Sequence, residues 1–179
     1  SQGADCMRQG GVVAYPTEAV FGLGCNPRNQ QAVHRILELK SRPASAGLIL
    51  IADHFERFEE FVAPLEGGAE KVALDTWPGP VTWLFPKSAS VPDWLAGSHN
   101  TIAIRVTDHP LCRELCAALG SAMVSTSANP RGEKPARSAA EVEEYFADQL
   151  DGVIDGPLGR QSQPSQIRDL ATGNVLRGG

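Results

Sequence analysis

Residues 101–130, TIAIRVTDHPLCRELCAALGSAMVSTSANP, read as strand, helix, strand, and this unit decides the fold class. In TIAIRV, Ile102, Ile104 and Val106 alternate with Thr101, Ala103 and Arg105, the period-two pattern of a strand. Pro110 to Leu119 fits a helix with proline in its first turn and Gly120 just past its end. Met123 to Thr126 is strand-like again and runs into Ser127, Ala128, Asn129 and Pro130. Outward from this unit the alternation continues. GVVAY (11–15), LILI (48–51) and VTWLF (81–85) read as strands, the first stopped by Pro16. Asn29 to Lys40 reads as a helix with Val33, Ile36 and Leu37 on one face. Asp53 is placed to cap a helix carrying Phe55, Phe58 and Val62. Ala69 to Thr76 looks helical and ends before the rigid loop Trp77-Pro78-Gly79-Pro80. Ser138 and Glu141 form a capping box for a helix to Leu150. Three short strand-like pieces occupy Gly152 to Leu176. Strands alternating with helices define a mixed α/β domain.

The chain has 179 residues, 42% hydrophobic and 21% charged, with no repeat and no linker-like stretch. One domain over 1–179 is expected, with residues 1–9 peripheral. No apolar run reaches the roughly 18 residues of a membrane span, and SQGADCMRQG has no segment of signal-peptide type. A cytoplasmic location without membrane contact is therefore expected. The cysteines, at 6, 25, 112 and 116, form no C-x-x-C pair, and the four histidines make no metal motif. No structural metal is expected. A net charge of −5 argues against a surface coated for nucleic acid, though not against a local basic cleft.

Several cations stand in unusual places. Lys40 lies seven positions after Val33 and continues the apolar stripe of its helix. It either snorkels at the helix end, where a cation suits the dipole, or points into a cleft. Arg42 follows before Pro43 stops the helix, so both cations leave one helix end. Arg105 shares its strand face with Thr101 and Ala103. It is either an exposed edge arginine or a planar anion-binding fork beside a trough. Ser125, Thr126, Ser127 and Asn129 offer small donors and acceptors to a ligand, or simply stabilise a turn. No phosphate-binding G-x-x-x-x-G-K-[ST] and no dinucleotide fingerprint is present.

Five stretches in order, YPTEAVFGLG (15–24), LKSRP (39–43), WPGPVT (77–82), AIRVTDHP (103–110) and STSAN (125–129), resemble the YrdC-like threonylcarbamoyl-AMP synthases in their short bacterial form. The resemblance runs from about Gly10 to Arg177. It implies a single twisted mixed sheet with flanking helices around a basic concave cavity. It implies condensation of L-threonine, bicarbonate or carbon dioxide, and ATP to threonylcarbamoyl-AMP and pyrophosphate, for modification of adenosine beside the anticodon of tRNA. Lys40 and Arg42 would meet the ATP phosphates, Ser127 and Asn129 would help hold the nucleotide, and Arg177 would close the site over ATP. Thr17, Arg105, Ser125 and Ser165 would take L-threonine, with Arg105 on its carboxylate. A histidine that many relatives carry is Ile51 here, so that threonine contact is expected to be missing.

Mg2+ is expected with ATP. The partners implied are ATP, L-threonine, bicarbonate, other proteins of the tRNA threonylcarbamoylation pathway, and tRNA itself. The competing reading is an RNA-binding module without chemistry, which calls for an extended cationic stripe. A carbamoyl-transfer domain of a hydrogenase-maturation protein shares the implied fold, but the fused zinc-finger-like and acylphosphatase-like segments are missing from this sequence.

Overall fold

The computed structural model describes residues 2–160 and 165–177. The elements follow as α1 (Gln2–Arg8), β1 (Val13–Pro16), β2 (Phe21–Cys25), α2 (Gln30–Lys40) and β3 (Ile49–Ala52). After them come α3 (Lys71–Leu74), β4 (Val81–Pro86), α4 (Asp93–Ala96), β5 (Thr101–Val106), α5 (Pro110–Leu119) and β6 (Met123–Ser127). The chain continues with α6 (Ala139–Phe146), β7 (Gly152–Val153), β8 (Gln166–Asp169) and β9 (Val175–Arg177). Among the described residues one nine-stranded sheet forms, in the order β7-β1-β2-β6-β3-β5-β4-β8-β9. β1/β7, β3/β5 and β4/β8 are parallel pairs and the others antiparallel, so the expected mixed sheet is observed.

The two faces of the sheet bury different cores. Ile102, Ile104 and Val106 point with Leu50, Ala52 and Val124 to the larger core, where α2 packs through Val33, Ile36 and Leu37. Ile51, Met123, Val13 and Tyr15 point the other way and meet Met7 of α1 and Cys112, Leu115 and Cys116 of α5. Strand alternation assigns the faces. It also puts Arg105, Ser125 and Ser127 on the α1/α5 side.

Several expectations are corrected. Residues 2–8, expected to be peripheral, form α1 with Gly3, Ala4 and Met7 buried. Asp53 caps no helix: Phe55–Phe58 is a single 3₁₀ turn without a side-chain cap, and the Asp53 carboxylate accepts from Arg57 Nε at 3.1 Å. The helix expected over Ala69 to Thr76 shrinks to Lys71–Leu74, and the one expected to reach Leu150 stops at Phe146, followed by a 3₁₀ turn over Ala147–Gln149. β2 had no counterpart among the strands expected from sequence. A Cβ at Gly24 would lie 2.5 Å from Tyr15 Oη and 2.7 Å from the Val124 carbonyl, so the strand needs glycine there to lie flat against its neighbours.

Candidate active site

A cavity of about 570 Å³ takes Arg105, Ser125 and Ser127 from the α1/α5 face of the sheet and Lys40 from the end of α2. Lys40, Arg42, Arg105 and Arg131 line it, with Glu18 as its one carboxylate among the described residues. Thr17, Ser125, Ser127, Asn129 and Ser165 line it too, so the structure brings together the residues that the sequence singled out. Arg177 ends β9, and its side chain lies outside the described residues.

Lys40 enters from the end of α2. Asn29 caps the start of that helix through its side chain, and Ser41 ends it in the left-handed conformation at φ 52°. The Arg42 N–H closes back on the Leu37 carbonyl at 2.8 Å, a turn that sends both cations toward the cavity. Lys40 Nζ donates to four oxygens: the Ser127 carbonyl (2.6 Å) and hydroxyl (3.3 Å), and the Asn129 carbonyl (3.2 Å) and Oδ1 (3.1 Å). None carries a charge. Burial, with the Arg42 charge nearby, pulls the Lys40 ammonium down to about 8.

Ser127 and Asn129 were expected to help hold the nucleotide, and their donors are committed elsewhere. The Ser127 hydroxyl donates to Asn129 Oδ1 at 2.6 Å. Asn129 Nδ2 donates to the Pro130 and Glu133 carbonyls, each at 3.1 Å, which fixes its oxygen toward Lys40. In this arrangement the S-x-N pair positions the lysine. Arg42 Nε and Nη2 both donate to the Gly47 carbonyl, at 3.2 and 3.0 Å, which orients the guanidinium. Gly47 sits at φ 74°, and a Cβ there would meet the Ala96 carbonyl at 2.6 Å. Burial lowers the Arg42 pKa as well.

The other end is built around Arg105. β5 lies between β3 and β4, so the exposed-edge reading of this arginine is wrong. Arg105 Nη1 is ion-paired with Glu18 Oε2, which also accepts from Thr107 Oγ1 at 2.8 Å. Thr107 Oγ1 accepts in turn from the His109 N–H at 3.1 Å. Burial pushes the Glu18 carboxyl up, but the Arg105 charge, the Thr107 hydroxyl and its own backbone N–H together hold it below the usual range. Thr17 Oγ1 donates to the Val20 carbonyl at 2.6 Å, leaving its lone pairs as acceptors. Gly22 opens the space between Thr17 and Ser125: a Cβ there would stand 3.3 Å from Thr17 Cγ2 and 3.4 Å from Ser125 Oγ. On the opposite wall, the Ser165 and Thr82 hydroxyls are 2.8 Å apart.

Ile51 is fully buried in the smaller core, and Ile49 is the isoleucine of β3 that lines the cavity. The substitution expected to remove a threonine contact therefore lies away from the cavity surface. Glu18 and Arg131 were not foreseen. Glu18 sits inside YPTEAVFGLG, where the one charged residue of the stretch was the available signal. Among the described residues no three His, Cys, Asp or Glu side chains gather as a metal cluster, and no helix is long and apolar enough to cross a membrane.

The fold and site define a mixed α/β domain with Lys40, Arg42, Arg105 and Arg131 lining one cavity, and comparison with known proteins makes the class specific. The chain belongs to the Sua5/YciO/YrdC family, whose model, described as telomere recombination, matches residues 5–179. It is 52% identical over 174 residues to the threonylcarbamoyl-AMP synthase of Cellvibrio japonicus (strain Ueda107), covering 97% of this chain and 92% of that one. It is also 52% identical over 178 residues to the protein of that name from Pseudomonas savastanoi pv. phaseolicola, covering 99% and 96%. Among solved structures, P. abyssi Sua5 complexed with L-threonine superimposes with a TM-score of 0.88 at 36% identity. That match covers 96% of this chain and 51% of the Sua5 chain, so this chain spans about half of Sua5.

Proposed function

We propose that this protein is a threonylcarbamoyl-AMP synthase, a nucleotidyltransferase that condenses L-threonine, bicarbonate and ATP. The observation that carries the reading is the Lys40 ammonium, buried among four uncharged acceptors in a cavity that Arg42 shares. A buried cation without a carboxylate partner is prepared for an anionic ligand. The full-length likeness to named synthases and the L-threonine complex of Sua5 support the same reading.

In the reaction, the threonine ammonium gives up a proton, and the resulting amine and bicarbonate form a carbamate with loss of water. A carbamate oxygen then attacks the α-phosphorus of ATP, and the bond to the β-phosphate oxygen breaks to release pyrophosphate. Carbamate, carboxylate and triphosphate repel one another in water, and fixed positive charge offsets that repulsion. Lys40 and Arg42 are assigned to the phosphates, Arg105 to the threonine carboxylate, and Ser127 and Asn129 to holding Lys40. Thr17 and Ser125 face threonine, with Thr17 as an acceptor. Ser165 belongs to the same end and Arg177 to ATP. Catalysis proceeds by positioning and charge neutralisation.

The cavity's hydroxyls, one amide oxygen and one ion-paired carboxylate do not fit a resident divalent ion, and Mg2+ would depend on the ATP phosphates for its ligands. The adenylate passes to the cytoplasmic proteins that complete the tRNA modification. Lys40, Arg42 and Arg105, three of the cations named from sequence, line one cavity, which favours chemistry over an RNA-binding stripe. Incubation with labelled ATP, L-threonine and bicarbonate tests the reading. Pyrophosphate and the adenylate are expected, each requiring all three substrates; ADP and inorganic phosphate would sink it.

A further inference from the structure

The two cationic ends of the cavity differ in what balances them. Lys40 and Arg42 donate their hydrogen bonds to uncharged oxygens. Arg105 instead rests on Glu18. Both members of that pair are buried, Glu18 at 7% exposure and Arg105 at 8%. Glu18 Oε1 and Arg105 Nε are buried without a hydrogen-bond partner among the described residues, so the carboxylate is held too deep to be a free ligand group. Backbone closes over it: the Gly159 N–H donates to the Thr17 carbonyl at 2.9 Å, and a Cβ at Gly159 would lie 2.7 Å from Glu18 Cα. Behind the pair, Thr107 Oγ1 fixes the same carboxylate oxygen that Arg105 holds.

We infer that Glu18 is a specificity-determining residue that keeps phosphate out of the amino-acid end of the cavity by neutralising Arg105. The inference rests on the threonine role given to Arg105 above. An arginine with a full counter-ion gains little from a polyanion, because the carboxylate behind it repels the added charge. It can still donate N–H groups to the carboxylate of a zwitterion, whose own ammonium balances the site. Among the described residues Lys40 and Arg42 have no such counter-ion, and they favour the triphosphate. Without Glu18 the cavity would hold two phosphate-attracting ends, and ATP or pyrophosphate would occupy the place where threonine must sit.

Calorimetry with L-threonine, alone and under saturating inorganic pyrophosphate, tests this. In the unmodified protein, pyrophosphate should leave threonine affinity undiminished; a tenfold drop would overturn the inference whether or not any variant folds. Glu18→Gln keeps the side-chain shape and an acceptor oxygen for Arg105 and Thr107 while removing the charge. In that variant pyrophosphate should weaken threonine binding at least tenfold and compete with threonine in steady-state kinetics. A folded Glu18→Gln protein whose threonine affinity ignores pyrophosphate would also overturn it. Arg105→Gln separates the two readings. Unchanged threonine affinity there removes Arg105 from the amino-acid site altogether. Lost affinity there, with a pyrophosphate-blind Glu18→Gln, removes the Glu18 role alone.

Discussion

The Lys40 end and the Arg105 end of the cavity solve one problem in opposite ways. Each keeps a cation out of water, and burial without compensation is costly. At Lys40 the compensation is four oxygen dipoles from Ser127 and Asn129, and the full positive charge remains available. At Arg105 it is a carboxylate, and the net charge is cancelled. The comparison teaches that a count of cations in a cleft says little about what the cleft binds. The charge of the partner decides.

The largest expected effect tests the uncompensated end. Lys40→Ala should lower the rate of pyrophosphate release by about a hundredfold or more, as loss of one preorganised charge contact does. The melting temperature should not fall, because a desolvated ammonium is removed. A marked loss of stability with intact activity would make Lys40 a structural residue.

Next comes the compensated end. Arg105→Lys keeps a charge for Glu18 but loses the planar fork. Threonine affinity should weaken by about 1.5–3 kcal/mol, from about ten- to more than a hundredfold, with ATP affinity unchanged. Equal loss for both ligands would mean that the ends are not separate sites.

The third test uses pH. The Lys40 pKa is lowered to about 8, so its charge is present below that pH and lost above it. The value of kcat/KM for ATP, which reports the free enzyme, should fall about tenfold per unit above pH 8. Lys40→Arg should flatten that limb, and a limb that persists in this variant would assign the titration elsewhere. The smallest effect is expected from Thr107→Val, which removes a hydroxyl that braces Glu18 and leaves the buried His109 N–H without its acceptor. Stability should drop by about 1–3 kcal/mol in a denaturant titration, while threonine affinity changes only a few-fold.

Much of this frame was legible in the sequence where local pattern and tertiary burial agree. The alternation in Thr101–Val106 gave the strand and its faces, and the stripe of Val33, Ile36 and Leu37 gave α2 and the anomaly of Lys40. What stayed hidden depends on distant partners. β2 was obscured because the need for glycine at 24 comes from Tyr15 and Val124. The Phe55–Phe58 turn does not lengthen into a helix where Phe55 stacks with Trp77 and tilts against Phe85, contacts made across long stretches of chain. Strand periodicity placed Arg105 on the correct face but could not say that Glu18 waits there. The STSAN stretch (125–129) marked Ser127 and Asn129 as site residues. Only the hydrogen-bond directions show that they serve the lysine first.

Both ends of the cavity share one further property. The bond from Lys40 to Ser127 and the pair between Glu18 and Arg105 each join residues 87 positions apart. Neither cation is balanced by anything near it in the chain, so neither half of the cavity can assemble from a local piece. Contacts of such long range form late, once the loops between them have closed. A growing polypeptide therefore exposes Lys40 and Glu18 long before their counterparts exist. The cavity becomes able to discriminate phosphate from amino acid only after β5 and β6 have joined the sheet, which ties the onset of ligand binding to completion of the fold.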